Sequence, residues 1–259
     1  MLPVMTPSDS VSIDSASPAA DTGLPDGPRV PDWRPRPRPT RVDLSGRWCR
    51  LEPLAARHSD DLFAASLAPG ALDRFRYLFE PVPDRAGHEQ WLAAAAGSPD
   101  PMFWAVCDAT TGVCGGRQAL MRITPEHGVV EIGSIMWGPG VAGTRVATEA
   151  LYLTAGHVFD DLGYRRFEWK CNDRNLPSRG AARRFGFAYE GIFRQAVVVR
   201  GVSRDTAWYA MTDQDWRRLR PAYEQWLDPA NFDEQGRQRQ PLQARTLAAA
   251  DVGPDIAAG

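Results

Sequence analysis

The clearest pattern of hydrophobic and polar positions lies in residues 129–163. The first nine residues alternate in the manner of a half-buried strand and are rich in β-branched side chains. Residues 137–140, with the sequence WGPG, must end that strand, because proline offers no ladder donor and glycine marks a turn. Residues suited to one helix face then recur until Gly163, where a helix would end: Val146, Ala147, Ala150, Leu151, Thr154, Val158, Phe159 and Leu162. This pattern predicts a strand, a turn and a helix in direct succession.

A turn that leads directly into a helix is a common anion site. The N–H groups of the first helical turn have no partner within the helix and point toward the preceding turn, where the helix dipole also favours negative charge. Residues 129–163 therefore predict a cradle for a phosphate-bearing ligand.

The same rules place the other elements on both sides of this stretch. Strands are predicted at 47–54, 103–108, 115–123, 166–171, 189–199 and 204–212, the last two forming a hairpin around Arg200-Gly201. Helices are predicted to begin at Ser59 and to cover 84–96, 175–184 and 215–226. A helical crossover would make strand 166–171 parallel to strand 129–137. The order predicts an α/β (α+β) fold, with a central mixed sheet of about six or seven strands and helices on both faces.

Changes in composition predict one folded domain between two loose ends. Residues 1–42 are rich in Pro, Ser and Arg, which predicts a disordered or extended arm. Residues 233–259 are polar and then rich in Ala, which predicts a loose C-terminal tail. The folded domain is predicted to cover residues 43–232.

Overall composition narrows the classes of function. The chain has 259 residues, 43% of them hydrophobic, and a net charge of -2, so no global field draws it to nucleic acid or to an anionic membrane. No run of residues approaches the length of a membrane span. We expect a cytoplasmic protein. The cysteines form no ligand pattern, so we expect no metal site. We expect free, mostly buried thiols at all four cysteines: Cys49, Cys107, Cys114 and Cys171.

Several short motifs together resemble the GNAT superfamily of acetyl-CoA-dependent N-acetyltransferases, over about residues 45–220. They are Glu131-Ile132-Gly133, Ala147-Thr148-Glu149-Ala150, Asn175-x-x-Ser178, Gly186-Phe187, Glu190-Gly191-x-x-Arg194 and Arg204-Asp205. The set is more similar to the branch of ribosomal-protein alanine acetyltransferases than to the histone-type branch. One motif departs from the family. Its pyrophosphate turn usually reads Gln/Arg-x-x-Gly-x-Gly/Ala, and only the last position matches in residues 142–147 of this chain.

The resemblance implies a site for acetyl-CoA. The strand backbone at Met136 and Trp137 would hold the pantetheine arm and polarise the thioester carbonyl. The pyrophosphate would lie against Ala142, Gly143, Thr144, Arg145, Val146, Ala147 and Thr148. Asn175 would lie beside the pantetheine and also cap a helix, and Arg184 would reach the 3′-phosphate. Backbone N–H groups make most of the expected phosphate contacts, so the altered turn is compatible with binding.

The candidates for catalysis are Glu131 and Ser178. Glu131 is an acid in an otherwise apolar strand, which is typical of a general base, and the alternative is a carboxylate paired with an arginine. Some relatives carry a general-acid tyrosine at the position of Ala182, so the leaving thiolate here is protonated by Ser178, by water, or not at all before release. Cys171 is interpreted as a buried core thiol rather than a nucleophile.

The acceptor side is less defined by sequence. Tyr77 and Trp104 are candidates for an acceptor pocket, with burial in the core as the alternative. The sequence predicts an enzyme that moves an acetyl group from acetyl-CoA to a primary amine, either a protein N-terminus or a small molecule, by direct attack. A catalytically silent acyl-CoA-binding or interaction module is the alternative. No nucleic-acid or membrane partner is expected, and a homodimer remains open.

Overall fold

The computed structural model describes residues 29–244, so the predictions for residues 1–28 and 245–259 lie outside the described residues. Residues 35–244 belong to a single compact unit. This unit contains the sheet, the helices and the candidate site.

One mixed sheet of eight strands forms the centre of the unit, in the order β1-β2-β3-β4-β5-β6-β8-β7. The strands are β1 Leu44–Ser45, β2 Cys49–Pro53, β3 Met102–Asp108, β4 Cys114–Thr124, β5 Val129–Trp137, β6 Arg166–Asn172, β7 Ala188–Val199 and β8 Val202–Thr212. The predicted parallel pairing of β5 with β6 is confirmed, and the other neighbouring strands pair antiparallel. The count exceeds the prediction because β1 has only two residues, too few for a visible alternation.

Within residues 29–244, six α-helices accompany the sheet: α1 Ser59–Leu67, α2 Ala71–Phe75, α3 Arg85–Gly97, α4 Arg145–Gly156, α5 Leu176–Arg184 and α6 Asp213–Leu227. Side chains that accept from backbone N–H groups cap four of their N-termini, namely Asp84, Thr144, Asn175 and Thr212. A π-helical segment, His157–Asp161, continues α4 to the end that the sequence predicts.

The helices cover both faces of the sheet, as predicted. Alternate residues of β3 divide between two hydrophobic clusters, so that Trp104 joins one cluster and Phe103 the other. The larger cluster includes α4 and α6, with Leu151 and Trp216 fully buried. The smaller cluster includes α1 and α3, with Leu62 and Leu92 buried. This arrangement fixes the central strands between two layers of helices.

The two parallel strands separate halfway along their length. The pairing of β5 with β6 runs from Val129 opposite Arg166 to Ile132 opposite Trp169 and then stops, although both strands continue. On its other side β5 remains paired with β4, with a register irregularity at which Ser134 has a φ of 48°. Residues 133–137 therefore present one backbone edge to an opening in the sheet.

The prediction of four free cysteines is wrong for two of them. Cys107 and Cys114 form a disulfide, whereas Cys49 and Cys171 are free and buried. The cause is strand register, because the β3–β4 hairpin places Cys107 directly opposite Cys114. Spacing of seven residues along the chain does not reveal that pairing.

Polar contacts attach segments beyond the predicted limits of the folded domain, 43–232, at both ends. Residues 35–42 belong to the arm predicted to be disordered or extended, and the Arg36 N–H donates to the Pro125 carbonyl at 3.0 Å. Residues 233–244 were predicted to be loose, yet Leu242 is buried, and the Trp226 indole donates to Gln238 at 2.9 Å. Both segments are polar, so hydropathy predicts that they lie outside the domain. Hydrogen bonds nevertheless attach them to it.

Candidate functional site

Two cavities meet where β5 and β6 separate. The helix cleft, of about 900 Å³, lies among the turn before α4, the start of α4, α5 and residues 232–238. The strand pocket, of about 320 Å³, lies between the separated strands and the β7–β8 hairpin. The residues that line both cavities mark their junction, and they are Arg74, Ile135, Trp169, Asn175 and Ser178. The two cavities therefore adjoin each other at these five residues.

The turn before α4 is closed by its own hydrogen bonds. The N–H groups of Val141 and Ala142 donate to the Gly138 carbonyl at 3.0 and 2.9 Å. Thr144 caps the helix, since its hydroxyl accepts from the Val146 N–H at 3.2 Å and donates to the Val141 carbonyl at 2.7 Å. Gly143 has a φ of 74°, which favours glycine at that point. The altered sequence therefore still forms a tight turn that leads directly into a helix N-terminus.

Arg145 lines the helix cleft and does not extend into solvent. Its guanidinium carbon lies 3.8 Å from the centre of the Trp48 ring and 5.5 Å from that of Phe232. These aromatic rings hold one cation beside the turn.

Arg184 is a second cation of the helix cleft. Its Nη1 donates to the Thr148 hydroxyl at 3.1 Å, and its guanidinium carbon lies 5.2 Å from the Trp226 ring. Burial lowers the pKa of Arg184, and within residues 29–244 no carboxylate forms an ion pair with it. A half-buried cation without a balancing carboxylate is suited to bind an anion.

The remaining cofactor candidates also line the helix cleft: Met136, Trp137, Val146, Ala147, Thr148 and Asn175. The indole N–H of Trp137 is buried and has no hydrogen-bond partner among the described residues. The structure thus brings together every residue that the sequence proposed for acetyl-CoA.

Ser178 lies at the junction of the two cavities. Its N–H donates to Asn175 Oδ1 at 3.2 Å, which is the predicted helix cap, and its hydroxyl accepts from the Trp169 indole at 3.0 Å. The hydroxyl also lies beside Cys171. Burial raises the pKa of Cys171, and the contact with Ser178 opposes this change only in part. The Cys171 thiol is therefore held in its neutral form, as expected of a core thiol.

Glu131 is ion-paired, which is one of the two alternatives that the sequence offered. Its Oε2 lies 2.7 Å from Arg122 Nη1 and 3.0 Å from Lys170 Nζ, and the residue is only 3% exposed. The carboxylate nevertheless lines the strand pocket. Its role as a general base stays a prediction, made weaker by two cations that share its lone pairs.

The two acceptor-pocket candidates separate. Tyr77 lines the strand pocket, and its hydroxyl donates to the Arg174 carbonyl at 3.1 Å. Trp104 is 3% exposed and donates to the Val42 carbonyl at 2.8 Å, within the larger core cluster. The proposal of Trp104 as a pocket residue is therefore wrong, because alternation along β3 turns its side chain into the core.

Sequence reasoning missed the contribution of the β7–β8 hairpin. Its residues in the strand pocket are Phe193, Ala196, Val197, Arg204, Thr206 and Trp208. The alternation of Arg204, Thr206 and Trp208 along one strand was a usable signal, because it puts three side chains on the same face. No such signal marks Phe232 or Gly236, which line the helix cleft only because of the fold.

One group of potential metal ligands occurs among the described residues, and it consists of His58, Cys107 and Cys114. The two sulfurs are bonded to each other, and both ring nitrogens of His58 have partners, the Ala55 N–H at 3.2 Å and Glu52 at 3.1 Å. This group lies outside both cavities. In the same described part of the chain, no helix combines the length and the apolar character needed to cross a bilayer.

The chain is similar to proteins of known family and known structure. A family model described as an acetyltransferase (GNAT) domain matches residues 49–188. The chain is similar to the crystal structure of a GCN5-related N-acetyltransferase from Brucella melitensis, with 52% sequence identity, a TM-score of 0.82, and coverage of 85% of this chain and 100% of that chain. A GNAT-family protein from Chromobacterium violaceum ATCC 12472 matches with 35% identity and a TM-score of 0.69, over 75% of this chain and 98% of that one.

A more distant match shares the fold alone. The Microcin C7 self immunity acetyltransferase MccE, in complex with acetyl-CoA and AMP, has 19% sequence identity to this chain. Its TM-score is 0.57, and the match covers 64% of this chain and 93% of that one.

Proposed function

Because this chain belongs to the GNAT acetyltransferase family, we propose that it transfers the acetyl group of acetyl-CoA to a primary amine by direct attack. The acceptor is either a protein N-terminus or a small molecule. The observation that carries the proposal is the meeting of the helix cleft and the strand pocket at Ser178 and the open edge of β5. Two substrates that enter from opposite sides would meet there with no group of the enzyme between them.

The helix cleft is the proposed site for acetyl-CoA, which supplies an activated acetyl thioester. The closed turn and the start of α4 would hold the pyrophosphate through backbone N–H groups, with Arg145 as a nearby cation. Arg184 would bind the 3′-phosphate. The unpaired edge of β5 at Met136 and Trp137 would bind the pantetheine amides as a neighbouring strand does.

The amine would occupy the strand pocket and attack the thioester carbon from there. The new C–N bond forms as the C–S bond breaks, the amine loses a proton, and the departing thiolate gains one. Ser178 is placed at the junction to give that proton through its hydroxyl, or to order a water that does so. Cys171 takes no part as a nucleophile in this scheme, since burial keeps its thiol neutral.

A catalytically silent acyl-CoA-binding module is the second candidate. It is favoured by Ala182 in place of a general-acid tyrosine and by the changed turn. The paired state of Glu131 also favours it, because both cations already bind the carboxylate. Both candidates share the helix cleft and differ only in the chemistry at the junction.

The experiment that separates them measures binding and turnover on the same protein. Calorimetry with acetyl-CoA tests the cleft, and CoA release on a panel of small amines and peptide N-termini tests the transfer. We expect binding together with release on at least one class of acceptor. Binding without release on any acceptor would support the silent module, and the absence of binding would refute both.

Two accompanying proposals concern the state of the protein in the cell. We propose a cytoplasmic location, for which a fractionation experiment is the test. We also propose a homodimer, because the edge strand β7 and its hairpin expose apolar side chains such as Phe193 and Val198. Light scattering on the purified chain would show a single protomer mass if this proposal is wrong.

A further inference from the structure

Arg204 is a cation of the strand pocket that no carboxylate balances. Its Nε is buried and has no hydrogen-bond partner among the described residues, and no ion pair involves it within the same range. Its guanidinium carbon lies 5.3 Å from the centre of the Phe79 ring, which positions the group without neutralising it. The residue as a whole is half-buried, and charged groups withdrawn from water are normally paired, so the lack of an ion pair among the described residues is unusual.

Three other charged residues of the pocket, Arg122, Glu131 and Lys170, belong to one network of ion pairs. Six side chains alternate in sign along one connected series of ion pairs, and their charges sum to zero: Arg122, Glu131, Lys170, Glu168, Arg166 and Glu190. Two members of this series act on Arg204, Glu131 and Arg122, and they act in opposite directions. The Glu131 carboxylate is also held by two nearer cations. Arg204 therefore stays outside the balanced network.

Arg74, at the junction, differs from Arg204 in its surroundings. Its guanidinium donates to the carbonyls of Pro69 at 2.7 Å, Ala65 at 3.2 Å and Ala68 at 2.6 Å, at the end of α1. A cation at a helix C-terminus is stabilised by those carbonyls and by the helix dipole. Arg74 thus has a structural role that Arg204 lacks.

A second donor in the pocket also lacks an acceptor. The indole Nε1 of Trp208 is buried without a hydrogen-bond partner among the described residues. Phe193 stacks on this ring at 4.3 Å, and Lys170 Nζ lies 3.8 Å from the ring centre. The pocket therefore has aromatic walls and an excess of hydrogen-bond donors, which a ligand with acceptor oxygens would satisfy.

The mouth of the pocket is also basic. An adjoining surface cavity of about 870 Å³ shares Tyr77, Asn172 and Arg204 with the strand pocket. Four more arginines line it, against two aspartates: Arg76, Arg174, Arg194 and Arg200, with Asp173 and Asp205. An approaching anion would be drawn toward Arg204 by this field.

We propose that the amine acceptor carries an oxyanion, a carboxylate or a phosphate, which Arg204 binds at the far end of the strand pocket. This inference rests on the proposed function of the pocket as the acceptor site. Arg204 lies three residues along β8 from Ala207, which pairs with Cys171 near the junction. Three residues of strand span about 10 Å, so several bonds separate the amine from the oxyanion in a fitting acceptor.

Burial lowers the pKa of Arg204. An oxyanion within hydrogen-bond distance would oppose that effect and would occupy the free Nε donor. Arg204 is thus assigned to substrate specificity, as a group that touches the acceptor rather than the transferred acetyl group.

The test uses pairs of probes of equal chain length, with and without the anionic group. ω-Amino carboxylates of increasing chain length, from glycine upward, are compared with their primary amides, and aminoalkyl phosphates with the corresponding amino alcohols. Binding is measured by calorimetry on the CoA-saturated protein, and CoA release is measured separately from acetyl-CoA. We expect the longer acids to bind at least about ten-fold more tightly than their amides. The series that binds more tightly will show whether a carboxylate or a phosphate is preferred.

The variants assign that preference to one side chain. Arg204→Gln is expected to reduce the ratio of acid to amide affinity to about two-fold or less, whereas Arg204→Lys keeps the charge and retains part of the ratio. Arg217→Gln, an exposed arginine of α6, removes the same charge elsewhere and should keep the full ratio. Equal binding of acids and amides at every length, or an unchanged ratio in Arg204→Gln, would overturn the inference.

The two proposals fail in different ways. Arg204-dependent binding of acids without CoA release on any acceptor would leave the oxyanion site standing and remove acetyl transfer. CoA release that does not depend on the charge of the acceptor would leave acetyl transfer standing and remove the oxyanion site.

Discussion

At the scale of single residues, Arg184 tests how the helix cleft binds its ligand. Its guanidinium is half-buried, donates to the Thr148 hydroxyl and lacks a carboxylate partner among the described residues. If it binds the 3′-phosphate, Arg184→Gln should weaken acetyl-CoA binding by about ten-fold or more, the usual value of a hydrogen bond to a charged group. Binding of 3′-dephospho-acetyl-CoA should change little, because that ligand lacks the group concerned.

The neighbouring residue provides the matched control for this experiment. Arg183 lies on the same helix, but its guanidinium carbon lies 6.0 Å from the rings of Tyr189 and Tyr209, away from the cleft. Arg183→Gln should leave the affinities for both ligands as they are. If Arg184→Gln weakens the binding of both ligands equally in calorimetry, the 3′-phosphate binds elsewhere.

Residue roles that depend on local chain geometry could be predicted from the sequence. Asn175 caps α5 because its Oδ1 accepts from the Ser178 N–H, and the two residues lie three positions apart in the chain. The partners of Glu131 could not be predicted, since Arg122 and Lys170 reach it from two different neighbouring strands. Contacts across strands need the register, which the sequence pattern specifies only within a strand.

At the scale of elements, the turn before α4 can be tested by charge alone. Gly143 has a φ of 74°, and a Cβ placed there would meet no atom within 4 Å. Asn and Asp both tolerate this backbone conformation, so Gly143→Asn and Gly143→Asp differ mainly by one negative charge. The Asp variant should bind acetyl-CoA about ten-fold or more weakly than the Asn variant, and the difference should shrink at high salt. Equal calorimetric affinities would move the pyrophosphate away from this turn.

The contact between α1 and α3 gives a pH dependence. His88 is 2% exposed, and its Nε2 lies 3.0 Å from the Ser59 carbonyl, to which it donates in the neutral form. Burial lowers the pKa of His88 below 6.5, and the charges of Arg85 and Arg117 act in the same direction. Below pH 6.5 the unfolded chain therefore binds a proton that the folded chain resists. The free energy of unfolding should fall as pH decreases through that range, by at most about 1.4 kcal/mol per pH unit.

The variant His88→Gln isolates this contribution. Glutamine can still donate to the Ser59 carbonyl but does not titrate, so urea unfolding between pH 7.5 and 5 should show a smaller slope. His127 is exposed, and His127→Gln serves as the control that keeps the slope of the parent protein. A parent-like slope in His88→Gln would assign the pH dependence to other groups.

Element types followed from periodicity wherever a strand or helix was long enough to show it. Seven strands and the crossover helix were predicted, because β5 and α4 each repeat a pattern over nine residues or more. The disulfide was not predicted, since Cys107 and Cys114 pair only through the hairpin register. Periodicity also does not predict that β5 separates from β6, because an unpaired strand has the same alternation as a paired one.

At the scale of the whole molecule, hydropathy does not identify the segments that attach to the domain through polar contacts. Arg41 Nη2 donates to the Ser98 carbonyl at 2.6 Å, in a segment predicted to be disordered or extended. At the other end, the Gln240 N–H donates to Asn231 Oδ1 at 2.8 Å. Such contacts have no apolar periodicity, so composition classifies both segments with the tails.

The C-terminal segment should therefore contribute to both stability and ligand binding. Gly236, Arg237 and Gln238 line the helix cleft, and Leu242 is buried in the larger core cluster. A chain that ends at residue 232 should lose at least about 2 kcal/mol of unfolding free energy from the Leu242 side chain alone. It should also bind acetyl-CoA more weakly, because one wall of the cleft is removed. A chain that ends at residue 244 keeps all of these contacts and is the control. Urea unfolding and calorimetry on the two truncations give the comparison, and equal values for both would show that residues 233–244 contribute to neither property.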